Sequence, residues 1–572
     1  MLLEVKNLEV TFYNNPSLKV VNNLSFDLEK GQSLGIVGES GSGKSITALS
    51  LLRLLPQSAH ITNGSINLFL GDKKIDPLHI PEKEMQKYRG QIISMIFQEP
   101  MTSMNPVLTC GNQVMETILL HKKSSREFTK EKVISLFEEV KLTDPLKVLN
   151  SYPYQLSGGQ RQRVMIAMAI SCEPLLLIAD EPTTALDVLV QESILVLLKK
   201  IQLKYNIGIL FISHDLGVIS KIADHVLVMY KGEGVEYGSV NKILNAPEHP
   251  YTKALLACRP QFNIRPIHLP SIAVFLNDDK QTSAFNIKTK EERLTEHAII
   301  YSQKPVMVIK NLTTLFPVKT NFWGTTIEHF EALSHVNIEV FRGETIGLVG
   351  TSGSGKTTLG RTLMRLIESA EGEIIFKGKD LRTLNKTELR HIRKDIQIVF
   401  QDPYSSLNPN MTIGEILMEP MVVHKLHGNN RNRKEKVFEL LDKVSLTPES
   451  FSLFPHQFSG GQRQRIGIAR ALAVQPEFII CDESVSALDV SVQAQILNLL
   501  NDVKKEFNLT YIFISHDLSV VRYMSDRIFV IKQGEIVESG EADTLCQQPS
   551  DTYTRQLLKA SQGDSLFDFM TR

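Results

Sequence analysis

The 572-residue chain lacks the features that mark several large protein classes. It has no C-x-x-C pair. Cys110, Cys172, Cys258, Cys481 and Cys546 are scattered and odd in number, which argues against a disulfide framework or a zinc site and fits a reducing cytoplasm. No apolar run approaches the about 18 residues that a membrane-spanning helix needs, so any membrane is expected to be met through a partner. Glu4 and Lys6 stand where a secretory leader would have its apolar stretch, so no leader is expected. Net charge is missing too. The 63 basic residues balance 63 acidic ones, and the positive field of a dedicated nucleic-acid binder is absent.

What is present suits a globular protein: 42% hydrophobic and 22% charged residues. The length exceeds what one hydrophobic core supports, so two or more domains are expected. The chain also repeats itself. GESGSGKS from Gly38 returns as GTSGSGKT from Gly350, and IFQEPMTSMNP from Ile96 returns as VFQDPYSSLNP from Val399. LSGGQRQR from Leu156 returns as FSGGQRQR from Phe458, IADEPTTALDV from Ile178 as ICDESVSALDV from Ile480, and FISHDL occurs at Phe211 and Phe513. The offset is 312 at the lysines, 303 at the glutamines and 302 at the serine, aspartate and histidine. Two homologous domains, 1–260 and 305–572, are therefore expected head to tail. Residues 261–304 between them, with Pro266 and Pro270 ahead of a polar run without clear periodicity, read as a linker. The second copy adds a hairpin-like segment, VKTNFWGTTIEHFEAL from Val318, ahead of its glycine loop.

Each glycine loop follows an apolar run, SLGIV or TIGLV, and precedes helical spacing, SITALSLLRLL or TTLGRTLMRLI. A strand-to-helix turn is the context a phosphate loop requires. Gly38, Glu39, Ser40, Gly41, Ser42 and Gly43 in the first copy, and Gly350, Thr351, Ser352, Gly353, Ser354 and Gly355 in the second, let backbone N–H groups curl around phosphate oxygens at a helix N-terminus. Lys44 and Lys356 are expected to reach the β- and γ-phosphates, Ser45 and Thr357 to ligate Mg²⁺, and Ile46 and Thr358 to continue the binding segment. Apolar strands then end in acids, Asp180 with Glu181 and Asp482 with Glu483. The aspartates are expected to hold Mg²⁺, and the glutamates to orient or deprotonate an attacking water. His214 and His516 close a further strand and are read as contacts to the γ-phosphate. Gln98 and Gln401 are read as sensors of Mg²⁺ and that water.

In the repeated octad, Ser157 or Ser459 caps the helix that follows, and Gln160 or Gln462 three residues on completes a capping box. Two glycines in the first turn, Gly158 with Gly159 and Gly460 with Gly461, cost roughly 1 kcal/mol each in helix propensity and leave bare N–H groups. Such a surface attracts a phosphate, yet each domain already has a phosphate loop.

This ordered set resembles the ATP-binding cassette (ABC) ATPases over both halves of the chain. The resemblance implies an α/β fold of two tandem P-loop nucleotide-binding domains. Each has a RecA-like mixed sheet core, an antiparallel β subdomain and a helical signature subdomain. It implies ATP and Mg²⁺ as cofactors and an intramolecular pairing of the two cassettes. In that pairing Ser459, Gly460 and Gly461 complete the site of Lys44, Ser45, Gln98, Asp180, Glu181 and His214, and Ser157, Gly158 and Gly159 complete the site of Lys356, Thr357, Gln401, Asp482, Glu483 and His516. The family's adenine-stacking aromatic maps to Phe12, with Tyr13 as the neighbouring alternative, and to Phe316. The text after each glutamine and the segment EHPYTKALLA from Glu248 resemble peptide and nickel importer ATPases. That implies peptide uptake at the cytoplasmic face of a bacterial inner membrane, with two integral-membrane permeases and an extracytoplasmic binding protein, and no nucleic-acid partner. A soluble twin-cassette ATPase acting on ribosomes or DNA is the alternative. The long basic linker or zinc-binding cysteines expected of such proteins are missing.

Overall fold

In the first half of the chain the strands run β1 (Leu3–Phe12), β2 (Asn15–Leu28), β3 (Ser33–Val37), β4 (Ala59–Leu70), β5 (Lys73–Ile75), β6 (Ile93–Ile96), β7 (Leu176–Asp180), β8 (Gly208–Ser213), β9 (His225–Tyr230) and β10 (Glu233–Ser239). They form a four-stranded antiparallel sheet, β2-β1-β4-β5, and a six-stranded sheet, β10-β9-β3-β8-β7-β6. The larger sheet is parallel except at its β10 edge. Every residue of β3, β7 and β8 is buried. Parallel strands covered on both faces must read as unbroken apolar runs, which is the pattern that SLGIV, LLIAD and GILFIS show. The β9–β10 hairpin turns through Lys231 and Gly232, both in the left-handed region, as a tight two-residue turn requires.

The second half repeats this plan with β11 (Pro305–Thr320), β12 (Thr326–Phe341), β13 (Thr345–Val349), β14 (Glu371–Phe376), β15 (Lys379–Asp380), β16 (Ile396–Val399), β17 (Phe478–Asp482), β18 (Thr510–Ile514), β19 (Arg527–Lys532) and β20 (Glu535–Glu541). Its sheets are ordered β12-β11-β14-β15 and β16-β17-β18-β13-β19-β20. The structure, a computed structural model, describes residues 1–562 except 14, 185, 263, 277–285, 321–325 and 487. Part of the added hairpin from Val318 lies outside the described residues, but its flanks, β11 and β12, pair antiparallel. The chain divides into two compact units, Met1–Leu186 with Val190–Leu256, and Ala257–Gln562 with Asp187–Leu189.

In each unit the helix after the glycine loop is packed between the two sheets. Ala48 and Leu51 of the Lys44–Leu51 helix share one core with Leu3, Leu8 and Leu24 of the antiparallel sheet and Ile36, Ile178 and Ile212 of the larger one. Leu359 and Leu363 do the same in the second unit. Helices are inserted between β6 and β7 and between β16 and β17. They end in the Gly158–Ile170 and Gly460–Leu472 helices, which begin at the repeated octads.

The helices after the glycine loops are shorter than SITALSLLRLL and TTLGRTLMRLI predict. They stop at Leu51 and Leu363 because Arg53 and Arg365 adopt left-handed backbone. Tertiary contacts hold those two residues there. Arg53 donates to the carbonyl of Ile80, and Arg365 to those of Leu381 and Leu384.

The stretch 261–304 carries structure of its own. A Lys290–Tyr301 helix starts on a capping box between Thr289 and Glu292. The stretch is bound to the second unit. Arg265 donates to the carbonyls of Arg522, Tyr523 and Ser525 at the end of the Leu518–Met524 helix. Arg293 pairs with Glu541 and Asp543, and His297 lies 3.3 Å from Asp526. The equivalent carboxylate of the first unit, Asp224, has a side chain 43% exposed, against 14% for Asp526. All five cysteines are buried, and none is in a disulfide. No helix among the described residues is long and apolar enough to cross a membrane.

Candidate active site

The glycine loops are shaped by close backbone approaches. A Cβ added at Gly38 would lie 2.3 Å from the carbonyl oxygen of Met229, and one at Gly350 would lie 2.3 Å from that of Ile531. Gly43 and Gly355 cap the following helices in left-handed conformation. The lysines fold back into the loops. Lys44 Nζ donates to the carbonyls of Gly38 and Glu39 at 2.7 and 2.8 Å, and Lys356 Nζ to those of Gly350 and Thr351 at 2.8 and 2.9 Å. Both side chains are buried, and burial lowers the Lys356 pKa.

The next residue of each helix meets the acid at the strand end. Ser45 Oγ donates to Asp180 Oδ1 at 3.1 Å, and Thr357 Oγ1 to Asp482 Oδ1 at 2.9 Å. Burial pushes both aspartates above their ordinary values. A hydroxyl beside a carboxylate, with an amide oxygen available from Gln98 or Gln401, is a hard oxygen donor set that suits Mg²⁺. Among the described residues no group of three or more His, Cys, Asp or Glu is placed to hold a metal ion.

Glu181 and Glu483 follow these aspartates on left-handed backbone, with φ of 46° and 45°. For a non-glycine residue such a conformation costs of the order of 1 kcal/mol or more and persists only where the surroundings impose it. Here the N–H groups of Glu181 and Glu483 donate to the carbonyls of Ile212 and Ile514 on the neighbouring strands. Glu181 Oε2 accepts from Gln98 at 3.1 Å and Thr184 at 2.9 Å, with His214 Nδ1 3.2 Å away. Glu483 Oε2 accepts from Gln401 at 2.7 Å, and His516 Nδ1 stands 3.9 Å off. The hydroxyl of Ser486, at the place of Thr184, turns to the Glu483 carbonyl instead. The structure thus gathers, within each unit, the lysine, hydroxyl, glutamine, aspartate, glutamate and histidine that the repeats single out.

Burial alone would raise the Glu181 pKa. His214, Thr184 and Lys44 outweigh it and hold the group at about 2. In Glu483 burial is likewise outweighed, by His516 and Lys356, and the pKa is lowered. Both glutamates are ionised at neutral pH, the form in which a carboxylate accepts a proton or aligns a water. A folded pKa below the ordinary 4.5 means that the stabilisation from Glu181 is complete above pH 4.5 and drains away as pH falls toward 2. Thermal melts of Glu181→Gln against the native chain should therefore show a gap that narrows over that window. A gap that widens on acidification would reverse the assignment.

The octad serines behave as the sequence predicts. Ser157 Oγ accepts from Gln160 N at 3.3 Å while Gln160 Oε1 accepts from Ser157 N at 3.0 Å, and Ser459 and Gln462 repeat both distances. The two glycines differ in purpose. A Cβ on Gly159 would press to 2.7 Å on Val190, and one on Gly461 to 2.3 Å on Val492, so these positions are reserved for packing. A Cβ on Gly158 or Gly460 would meet nothing closer than 3.6 Å, so packing does not reserve these positions, and the glycines keep the first turn bare.

The adenine-stacking positions are less alike. Phe12 is half-buried against the core, whereas Tyr13 is 59% exposed and stacks on His60 with centroids 4.2 Å apart. Phe316 is half-buried on β11, opposite the exposed Phe330 of β12. Sequence reasoning missed Thr184, and it also missed two tyrosines. Tyr251 Oη accepts from Glu39 N at 3.1 Å, and Tyr553 Oη accepts from Thr351 N at 2.9 Å. A signal exists, since the dipeptide Tyr-Thr recurs at 251 and 553, at the same 302-residue offset as the octads.

Two family models match the chain: ABC transporter over residues 21–184 and 333–486, and oligopeptide/dipeptide transporter, C-terminal region, over residues 235–275. The chain is 46% identical over 568 residues to the glutathione import ATP-binding protein GsiA of Escherichia coli (strain K12), covering 98% of this chain and 89% of that protein. The same figures hold for the protein of that name from Shigella boydii serotype 4 (strain Sb227). Among solved structures it is similar to a dimeric ATP-binding cassette, MJ0796, bound to ADP and phosphate: 32% identity, 41% of this chain and 98% of that chain, TM-score 0.37.

Proposed function

The chain belongs to the ABC transporter ATPase family, and from that premise we propose that it closes its two cassettes head to tail around ATP to drive import through membrane permeases. It is an ATP hydrolase that serves an importer. The observation that carries the hydrolytic reading is the ionised glutamate at the end of β7 and of β17. In each unit it is flanked by a loop glutamine and a histidine, next to a buried lysine and a hydroxyl–aspartate pair. The glycine loop cradles the triphosphate, Lys44 or Lys356 leaves its loop carbonyls for phosphate oxygens, and Glu181 or Glu483 aligns the attacking water. Mg²⁺ carried by the nucleotide would be held by Ser45 and Asp180, or by Thr357 and Asp482, and supplies charge neutralisation at the phosphates.

The bare first turns at Gly158 and Gly460 are of use only to a phosphate held by the other cassette. That complementarity explains why one chain carries both copies. The cargo that fits the name of the relatives is a short peptide or peptide-like solute. The complex takes two integral-membrane permeases and an extracytoplasmic binding protein, with this chain on the cytoplasmic face of the inner membrane.

The pairing is tested with cysteines introduced at Ser40 and Ser459 in a chain that cannot hydrolyse ATP, Glu181→Gln with Glu483→Gln. MgATP should make the two thiols bridgeable by a short bifunctional reagent, and its removal should abolish the product. Equal bridging with and without nucleotide would sink the head-to-tail arrangement. Sedimentation with ribosomes rather than with membrane proteins would sink the importer assignment.

A further inference from the structure

The segment after each large sheet folds back onto the glycine loop of its own unit, and it does so the same way twice. Glu236 of β10 accepts from the backbone N–H groups of Glu248 and His249, which lead into the Pro250–Ala257 helix. Glu538 of β20 accepts from those of Ser550 and Asp551, which lead into the Thr552–Gln562 helix. Next on each helix comes a buried tyrosine, Tyr251 or Tyr553. The Tyr230 ring packs on Tyr251 at 4.3 Å, and the Lys532 ammonium sits 5.2 Å from the Tyr553 ring centroid. The phenol oxygens then take the N–H of Glu39 and of Thr351. Tyr553 also lies 3.0 Å from Thr351 Oγ1.

The peptide that is held matters more than the bond itself. The N–H of Glu39 and the carbonyl of Gly38 belong to one peptide unit. The tyrosine binds one edge of that plane while Lys44 binds the other, at 2.7 Å. In the second unit Tyr553 and Lys356 clasp the Gly350–Thr351 peptide in the same manner. The tyrosine bond does not depend on the lysine: it holds the peptide while the ammonium group rests on the carbonyl and can stay in place once that group turns to phosphate. It fixes the orientation of the first turn of the loop before any phosphate arrives, which lowers the ordering cost of binding.

We propose that Tyr251 and Tyr553 are positioning residues that latch each glycine loop from the helix following its sheet. In the first unit the latch lies in the stretch matched by the oligopeptide/dipeptide transporter C-terminal region, which gives that stretch a task at the nucleotide site. The inference rests on the reading of the loops as ATP sites.

The test uses full-length chains with one working loop, Lys356→Ala or Lys44→Ala, and titrates MgATP at 10 °C. Tyr251→Phe, which removes one oxygen and keeps the ring, should weaken binding about 2–10-fold in the Lys356→Ala chain and leave the Lys44→Ala chain unchanged, as the loss of one hydrogen bond implies. Tyr553→Phe should give the converse. Thr252→Val, which replaces the neighbouring buried hydroxyl and leaves the tyrosine in place, should leave affinity unchanged. Unaltered affinity in the loop that each tyrosine contacts would overturn the latch, and so would an equal loss in both single-loop chains or a matching loss in Thr252→Val. If Lys44→Ala with Lys356→Ala still binds MgATP at native affinity, the reading of the loops fails instead.

Discussion

Glu181→Gln combined with Glu483→Gln is expected to cut steady-state ATP turnover by a factor on the order of 10²–10⁴ while MgATP binding persists. The substitution is nearly isosteric, so the left-handed backbone at both positions and the hydrogen bonds from Gln98 and Gln401 can be retained. What is lost is the negative charge that draws a proton from the attacking water or aligns it. That charge is actively maintained by its surroundings, since burial would otherwise push both carboxylates toward the neutral form. The single variants carry further information. Thr184 and His214 both bond Glu181, whereas Glu483 has Ser486 turned away and His516 at 3.9 Å, so the two singles need not fall equally. Phosphate release and nucleotide binding measured on the same preparations check this. Turnover within a factor of two of the native chain would rule out both glutamates as the groups that act on the attacking water.

The second large effect is expected at Gly38 and Gly350. Adding one methyl group at either position brings a carbon to 2.3 Å from a backbone carbonyl oxygen on the neighbouring β9 or β19 strand side of the loop, and strand backbone has little freedom to give way. Overpacking of this kind costs about 1–3 kcal/mol. For a unit of this size that is a fall of about 3–10 °C in the melting of the affected cassette. The loop is displaced in the process, so MgATP affinity at that loop should drop by about tenfold or more, as a lost charge-assisted hydrogen bond implies. Gly41→Ala is the matched control. Gly41 has a left-handed φ of 78° but no atom within 4 Å of the added carbon, so it meets only the backbone penalty of roughly 1–2 kcal/mol. If Gly38→Ala bound nucleotide as well as Gly41→Ala, close backbone approach would not be what fixes the loop.

Much of the fold and the site is legible in the sequence because it depends on local patterns. Unbroken apolar runs foretell β3, β7 and β8, and S-x-x-Q foretells the capping boxes at Ser157 and Ser459. What escapes depends on distant groups. The early stop of the Lys44–Leu51 helix is set by the carbonyl of Ile80, beyond both β4 and β5 in the chain, which no spacing rule includes. The contrast between half-buried Phe12 and exposed Tyr13 arises where the β1–β2 pairing shifts register around Val10, Thr11 and Phe12, an irregularity no alternation rule includes. The helix at Lys290–Tyr301 is hidden by its polar composition, although T-x-x-E at Thr289 marks its start. The two tyrosines escape because a lone aromatic on a short helix carries no motif. Only the repeat offset exposes them.

The attachment of residues 261–304 bears on how such a gene could be divided. Arg265, Arg293 and His297 grip groups that follow His516 closely in the chain, among them the carbonyls that end the Leu518–Met524 helix. A fission at residue 304 into two polypeptides would strip those carbonyls of their guanidinium cap and expose Asp526 to water, whereas a break between the Pro250–Ala257 helix and Arg265 would let the strap travel with the half it stabilises and leave Tyr251 with the first unit. A bicistronic version of this ATPase therefore has one natural seam, and it lies on the amino-terminal side of the strap.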